Sequence, residues 1–161
     1  MHIMYYSQFY GNQECKKIIN RTEEFAALHG WTTGRHIDYL IRPTSDLPVN
    51  VVFHGDEFSN ITKRIQSRIF PKFSESFNLD ITKLRISDLF ITKYDASIDD
   101  RRRLGPHKDK SPWSFVVALN SKFEGGGTYF FQTQELWRPP IGAALYFSGV
   151  KLHGGLMKAS S

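Results

Sequence analysis

One cysteine in 161 residues, Cys15, leaves the chain without an internal disulfide framework. It also removes zinc sites built from several thiolates. No apolar run reaches the ~18 residues that a membrane-spanning helix needs. The opening Met1-His-Ile-Met-Tyr-Tyr has no basic segment followed by an apolar block, so no secretory leader is expected. The default compartment is then the cytoplasm, with no membrane partner. Internal repeats, low-complexity tracts and linkers are also missing. Acidic residues are outnumbered, 16 against 21 Lys and Arg, for a net charge of +5. That modest excess biases the chain toward acidic partners and keeps nucleic acid among them.

What is present fits a folded globular unit. At this length one domain is expected, burying ~70% of its unfolded surface. The hydrophobic share is 40%, and aromatics reach 14% with 13 Phe and 7 Tyr. Phe and Tyr suit pleated, half-buried surfaces, which points toward β structure.

Asn12 to His29 carries Cys15, Ile18, Ile19, Thr22, Phe25, Ala26 and His29 on one side, predicting an amphipathic helix that Gly30 closes. Short strands are expected at Ile37 to Ile41 and at Val49 to Phe53, around a loop marked by Pro43, Asp46 and Pro48. Asp56 reads as the cap of a second helix, with Phe58, Ile61, Ile65 and Ile69 in helical spacing until Pro71. After Asp80 the pattern changes to strands at Leu84 to Tyr94, Ser114 to Leu119, Gly127 to Gln132 and Ala143 to Phe147. Asp99-Asp100, Asn120-Ser121, Gly125-Gly126-Gly127 and Pro139-Pro140 separate them. The expected class is mainly β with flanking helices: a sandwich, barrel or jelly roll with two N-terminal-half helices packed outside.

Three His-x-Asp pairs occur: His36-Asp38, His54-Asp56 and His107-Asp109. On a strand, residues two apart leave the same face, so each pair could offer two metal ligands. His36 follows Arg35 in an early segment, and Asp56 already has a helix to cap, so both pairs read as structural. His107-Asp109 lies between β runs, with His153 farther on. Two imidazoles and one carboxylate around a metal with open positions are the ligand set of non-heme Fe(II) oxygenases.

The order of motifs goes further. Phe90-Ile-Thr-Lys-Tyr94, Pro106-His-Lys-Asp109, Ser114-Phe-Val-Val-Ala-Leu-Asn120, Phe123-Glu-Gly-Gly-Gly-Thr-Tyr-Phe130, Pro140-Ile-Gly-Ala-Ala-Leu-Tyr-Phe147 and His153-Gly-Gly follow one another. Together they resemble the prolyl/lysyl hydroxylase branch of the 2-oxoglutarate, Fe(II)-dependent dioxygenases, over about Leu84 to Gly155. The resemblance implies a double-stranded β-helix core. It implies His107, Asp109 and His153 as catalytic iron ligands, and Tyr94 and Thr128 as residues lining the 2-oxoglutarate pocket. It implies Fe(II), 2-oxoglutarate, O2 and ascorbate as cofactors and co-substrates. The reaction implied is hydroxylation of a peptidyl prolyl or lysyl residue, with succinate and CO2 as co-products. Arg101, Arg102, Arg103 and Trp113 are candidates for substrate contact, and Trp113 with Phe115 for walling an apolar site.

The chain departs from that pattern at its end. The family places a Lys or Arg about ten residues beyond the distal histidine, but the sequence stops at Ser161, and Lys158 sits at an odd offset. The expectation is one domain over residues 1–161 whose last strand is missing: a support region at 1–83 and a metal-binding β core at 84–161. Two other readings stay open, a nucleic-acid-modifying oxygenase of the same superfamily and an inactive jelly-roll binding module.

Overall fold

The computed structural model describes residues 3–6, 8–32, 44–95, 97, 104–121 and 126–155. The expected strand at Ile37 to Ile41, the His36-Asp38 pair, Arg101, Arg102, Arg103 and Lys158 lie outside them.

The N-terminal half supplies the helices. Helix α1 spans Asn12–His29 and buries Cys15, Thr22 and Ala26. Its start is fixed by the Gly11 N–H donating to the Glu14 carboxylate at 3.1 Å. Gly30 ends it with a positive φ of 82°, a conformation that costs glycine little. Cys15 is buried and burial pushes its thiol pKa up, which makes it an inert core residue.

Three local expectations are corrected here. Val49–Val52 forms a short helix, α2, rather than a strand. Its β-branched residues favour strands, but Val49 and Val52 pack with Leu47, Phe53 and Ala26 in one cluster, and that burial overrides propensity. Helix α3, Gly55–Arg68, is capped by His54 rather than Asp56. Asp56 stands in the first turn with Glu57, where negative charge complements the helix dipole. Pro71 does not end the helical region. It sits in the first turn of a further helix, α4, Phe70–Phe77, where a missing N–H costs no hydrogen bond. The described residues thus hold four helices, not two.

A 3-10 turn at Ile81–Lys83 follows, capped by Asp80. Leu84 to Leu89 forms no ladder, so the strand expected from Leu84 shrinks to β3, Phe90–Lys93. Leu84, Ile86 and Leu89 pack instead against the helical core.

Strand β2, Ser45–Pro48, pairs antiparallel with β3 as a two-stranded ribbon. Two larger antiparallel sheets make up the rest. Strands β1 (Ile3–Tyr6) and β5 (Trp113–Val117) flank β8 (Ala144–Ser148) in the order β1-β8-β5. Strands β4 (Leu104–His107), β6 (Thr128–Phe130), β7 (Glu135–Trp137) and β9 (His153–Gly155) form the order β4-β9-β6-β7.

The strand β8 is buried along its whole length. Ala144 and Tyr146 meet Phe9, Ile65, Ile69 and Phe73 on the helical side. Leu145 and Phe147 meet Phe130 on the other side, with Trp137 packed against them. The three-stranded sheet therefore lies between the helices and the four-stranded sheet. This is a mainly β, jelly-roll architecture. Its bends need close approaches: a Cβ on Gly142, where φ is 80°, would run into the Tyr10 carbonyl. Among the described residues no helix is long and apolar enough to cross a membrane.

Candidate metal centre

Strand register brings the histidines together. His107 on β4 stands opposite His153 on β9, with ring centroids 4.4 Å apart. Each ring is held by a backbone carbonyl two residues earlier. His107 Nδ1 lies 2.8 Å from the Gly105 carbonyl, and His153 Nδ1 lies 2.6 Å from the Lys151 carbonyl. A carbonyl only accepts, so both Nδ1 atoms carry hydrogen and donate. The Nε2 atoms are thereby committed to the other side.

That other side is Asp109. Its Oδ1 lies 3.4 Å from His107 Nε2 and 3.5 Å from His153 Nε2. Its Oδ2 accepts from Ser114 Oγ at 2.5 Å. The backbone also fixes Asp109, whose N–H donates to the Gly149 carbonyl at 2.7 Å. Gly149 has no spare room, since a Cβ there would meet the Ser111 carbonyl and stand 3.0 Å from Asp109 Cβ.

Among the described residues, His107, Asp109 and His153 form one group that could hold a metal ion. One ligand atom from each lies within 4.8 Å of the others. The donor chemistry fits a divalent cation. With both Nδ1–H groups committed, two imidazole lone pairs and a carboxylate oxygen converge, and such acceptors need a proton or a cation between them. Burial lowers the His107 pKa, but its hydrogen bonds to Asp109 and Gly105 outweigh this and hold it above the usual value. Burial likewise raises the Asp109 pKa, but His107, His153 and Ser114 outweigh it and hold the carboxyl far below the usual range.

The surroundings are aromatic on one side. Phe147 and Phe130 rings stand 4.9 and 5.9 Å from His153. Thr128 lies opposite Gly155, two residues along β9 from His153 and on the same face. Tyr94, just past β3, brings its hydroxyl to the same place: a Cβ on Gly155 would stand 3.1 Å from Tyr94 Oη. Burial, and then the charge of Asp46, push the Tyr94 pKa up, so the phenol stays a donor.

Trp113 and Phe115 are not brought to this group. Trp113 pairs with Ser148 and Phe115 with Tyr146, which puts both on the helical face. Trp113 packs on Phe77 at 4.5 Å and on Phe73 at 6.2 Å. The apolar wall expected of them belongs instead to Phe130 and Phe147. Val116, of opposite parity, shares the inner side with Ser114 and is 46% exposed there. Three groups escaped the sequence reading: Ser114 and the carbonyls of Gly105 and Lys151. The repeated spacing, a histidine bonded to the carbonyl two residues back, leaves no mark in residue type.

No family model matches the chain. It is 28% identical over 160 residues to the rat multifunctional procollagen lysine hydroxylase and glycosyltransferase LH3, covering 93% of this chain and 20% of that protein. The human protein of the same name is 28% identical over 138 residues, covering 80% of this chain and 18% of its own length. The chain thus spans about a fifth of the length of these curated relatives. A viral collagen prolyl hydroxylase from Paramecium bursaria Chlorella virus 1, solved as a 2-oxoglutarate complex, superposes with a TM-score of 0.68 at 18% identity. That match covers 100% of this chain and 91% of the viral one. In sequence the chain is similar to part of the lysine hydroxylase and glycosyltransferase LH3, and in fold to the viral collagen prolyl hydroxylase.

Proposed function

We propose that the chain carries an Fe(II)- and 2-oxoglutarate-dependent dioxygenase site that hydroxylates a prolyl or lysyl side chain in a peptide. The observation that carries this reading is the convergence of His107 Nε2, His153 Nε2 and Asp109 Oδ1. The fold shared with a 2-oxoglutarate-bound prolyl hydroxylase supports it.

His107, Asp109 and His153 would hold the iron. When bound, the metal would supply the oxidising chemistry, with 2-oxoglutarate and O2 consumed and succinate and CO2 as co-products. The chain's own residues do the rest. The Nδ1–H bonds to Gly105 and Lys151 fix both imidazoles in the ligating tautomer. Ser114 ties up Asp109 Oδ2 and leaves Oδ1 for the metal. Tyr94 and Thr128 offer hydroxyl donors to a carboxylate beside Gly155. Phe130 and Phe147 close the side of His153 to water. Val116, exposed on the inner side of an outer strand, marks where a peptide would enter.

The test is succinate release in the presence of a Pro- or Lys-containing peptide, with and without Fe(II) and 2-oxoglutarate. Release that needs both, and that disappears in His107→Ala, is the expected result. Metal uptake without any binding of 2-oxoglutarate would instead favour an inactive binding module.

A further inference from the structure

Asp46 is fully buried, and the chemistry above makes no use of it. Its carboxylate accepts from Thr44 Oγ1 at 2.7 Å and from Thr92 Oγ1 at 2.9 Å. Thr32 clamps its backbone, giving and taking a hydrogen bond at 2.9 and 2.7 Å. Among the described residues no cationic side chain forms an ion pair with it. Burying a carboxylate costs several kcal/mol unless donors offset it. Two hydroxyls offset part of this, and an apolar pair would hold two strands together at lower cost.

Position suggests what the carboxylate is for. Asp46 stands opposite Thr92 in the β2–β3 ribbon. Ser45 stands opposite Lys93, so one step further Thr44 comes opposite Tyr94. Residues two apart share a face, so Thr44, Asp46, Thr92 and Tyr94 lie on one side of the ribbon. Tyr94 then reaches β9 at Gly155, across from Thr128. The buried anion is thus connected, through two hydroxyls and one strand, to the phenol at the co-substrate pocket.

We propose that Asp46 is a positioning residue for co-substrate binding: by taking the hydroxyl hydrogens of Thr44 and Thr92 it locks β3 in register and aims the Tyr94 hydroxyl at the pocket beside Gly155. The inference rests on the reading of Tyr94 as a co-substrate residue. It requires the effect of Asp46 to pass through Tyr94.

A double-mutant cycle tests this by binding rather than turnover. Wild type, Asp46→Asn, Tyr94→Phe and the double variant are loaded with Mn(II) in place of iron and titrated with 2-oxoglutarate by calorimetry. Metal affinity and melting temperature are measured alongside. Each single change weakens 2-oxoglutarate binding by about tenfold, and the double variant is no weaker than the weaker single. Metal affinity stays within about twofold, which a general loss of fold would not allow. Should Asp46→Asn fail to fold, Thr92→Val replaces it in the same cycle, with the same non-additivity expected. Effects that multiply, or an Asp46 variant that binds like wild type while Tyr94→Phe is weakened, overturn the inference alone. Wild type that takes metal but no 2-oxoglutarate, or Tyr94→Phe that binds normally, overturns the co-substrate reading and the inference with it.

Discussion

His107 and His153 stand opposite each other across β4 and β9, and each donates Nδ1–H to the carbonyl two residues earlier in the chain. The two strands thus present matched rings with the same tautomer. One of the two partners that define the site is local, and the other depends on strand pairing. Metal binding and formation of the β4–β9 ladder should therefore be linked.

That linkage gives a direct measurement. Fe(II), or Mn(II) as an inert surrogate, should raise the melting temperature, and a chelator should reverse the gain. At about one hundred times the dissociation constant the stabilisation is ~2.7 kcal/mol. His153→Ala should remove the metal-dependent gain. A metal-induced shift of equal size in that variant would place the bound ion elsewhere.

The pH dependence should differ in sign between the metal-free and metal-bound protein. The His107 pKa is raised in the fold. Its contribution is therefore complete below the unfolded value of about 6.5 and fades as pH rises through the folded value. The Asp109 pKa is depressed. Its contribution is complete above about 3.9 and fades as pH falls toward the folded value. Metal-free stability should thus decline for this pair as pH rises above about 6.5, while metal affinity rises over the same range as Nε2 of His107 loses its proton. Urea titrations at several pH values, with and without Mn(II), would measure both slopes. A metal-free stability that climbs over this range in wild type but not in His107→Ala would contradict the assignment.

Support for Asp109 should matter as much as its own carboxylate. Ser114→Ala leaves Oδ2 without its donor, and metal affinity should fall 10- to 100-fold, by roughly the loss typical of outer-shell partners. Gly149→Ala forces a methyl against the Ser111 carbonyl and toward Asp109 Cβ. It should cost about 2–3 kcal/mol in a denaturant titration and weaken metal binding as well. Wild-type metal affinity in both variants would mean that Asp109 is held by other contacts.

Gly155→Ala separates co-substrate from metal. Its new methyl would stand 3.1 Å from Tyr94 Oη and displace that hydroxyl, and none of the three nearest atoms it would meet is a ligand atom. Metal affinity should hold within about twofold while 2-oxoglutarate binding drops about tenfold or more. Calorimetry with each ligand would distinguish the two. Equal losses for both would argue for a general distortion of β9.

The sequence was most legible where structure is local. Helix α1 runs from Asn12 to His29 with Gly30 after it, as periodicity and capping predict. His107 and Asp109 stand out as a pair because they lie two positions apart. His153 joined them through the order of motifs, since no local pattern reports that β9 lies beside β4. Val49–Val52 misled because three valines favour a strand, and only the burial of Val49 and Val52 against Leu47 and Ala26 makes them helical. Trp113 misled because its apolar run permits either face; pairing with Ser148 settles that it faces Phe77. Ser114 went unread because a serine acquires its role here from where Asp109 is folded to meet it.

Strand β8 leaves no side chain outward, with Tyr146 against the helices and Phe147 against His153. A repacking on the helical side must move a backbone whose other edge touches the metal face. The helical scaffold and the four-stranded sheet therefore cannot drift independently: change tolerated in one is filtered by what the other will bear, across a wall a single strand thick.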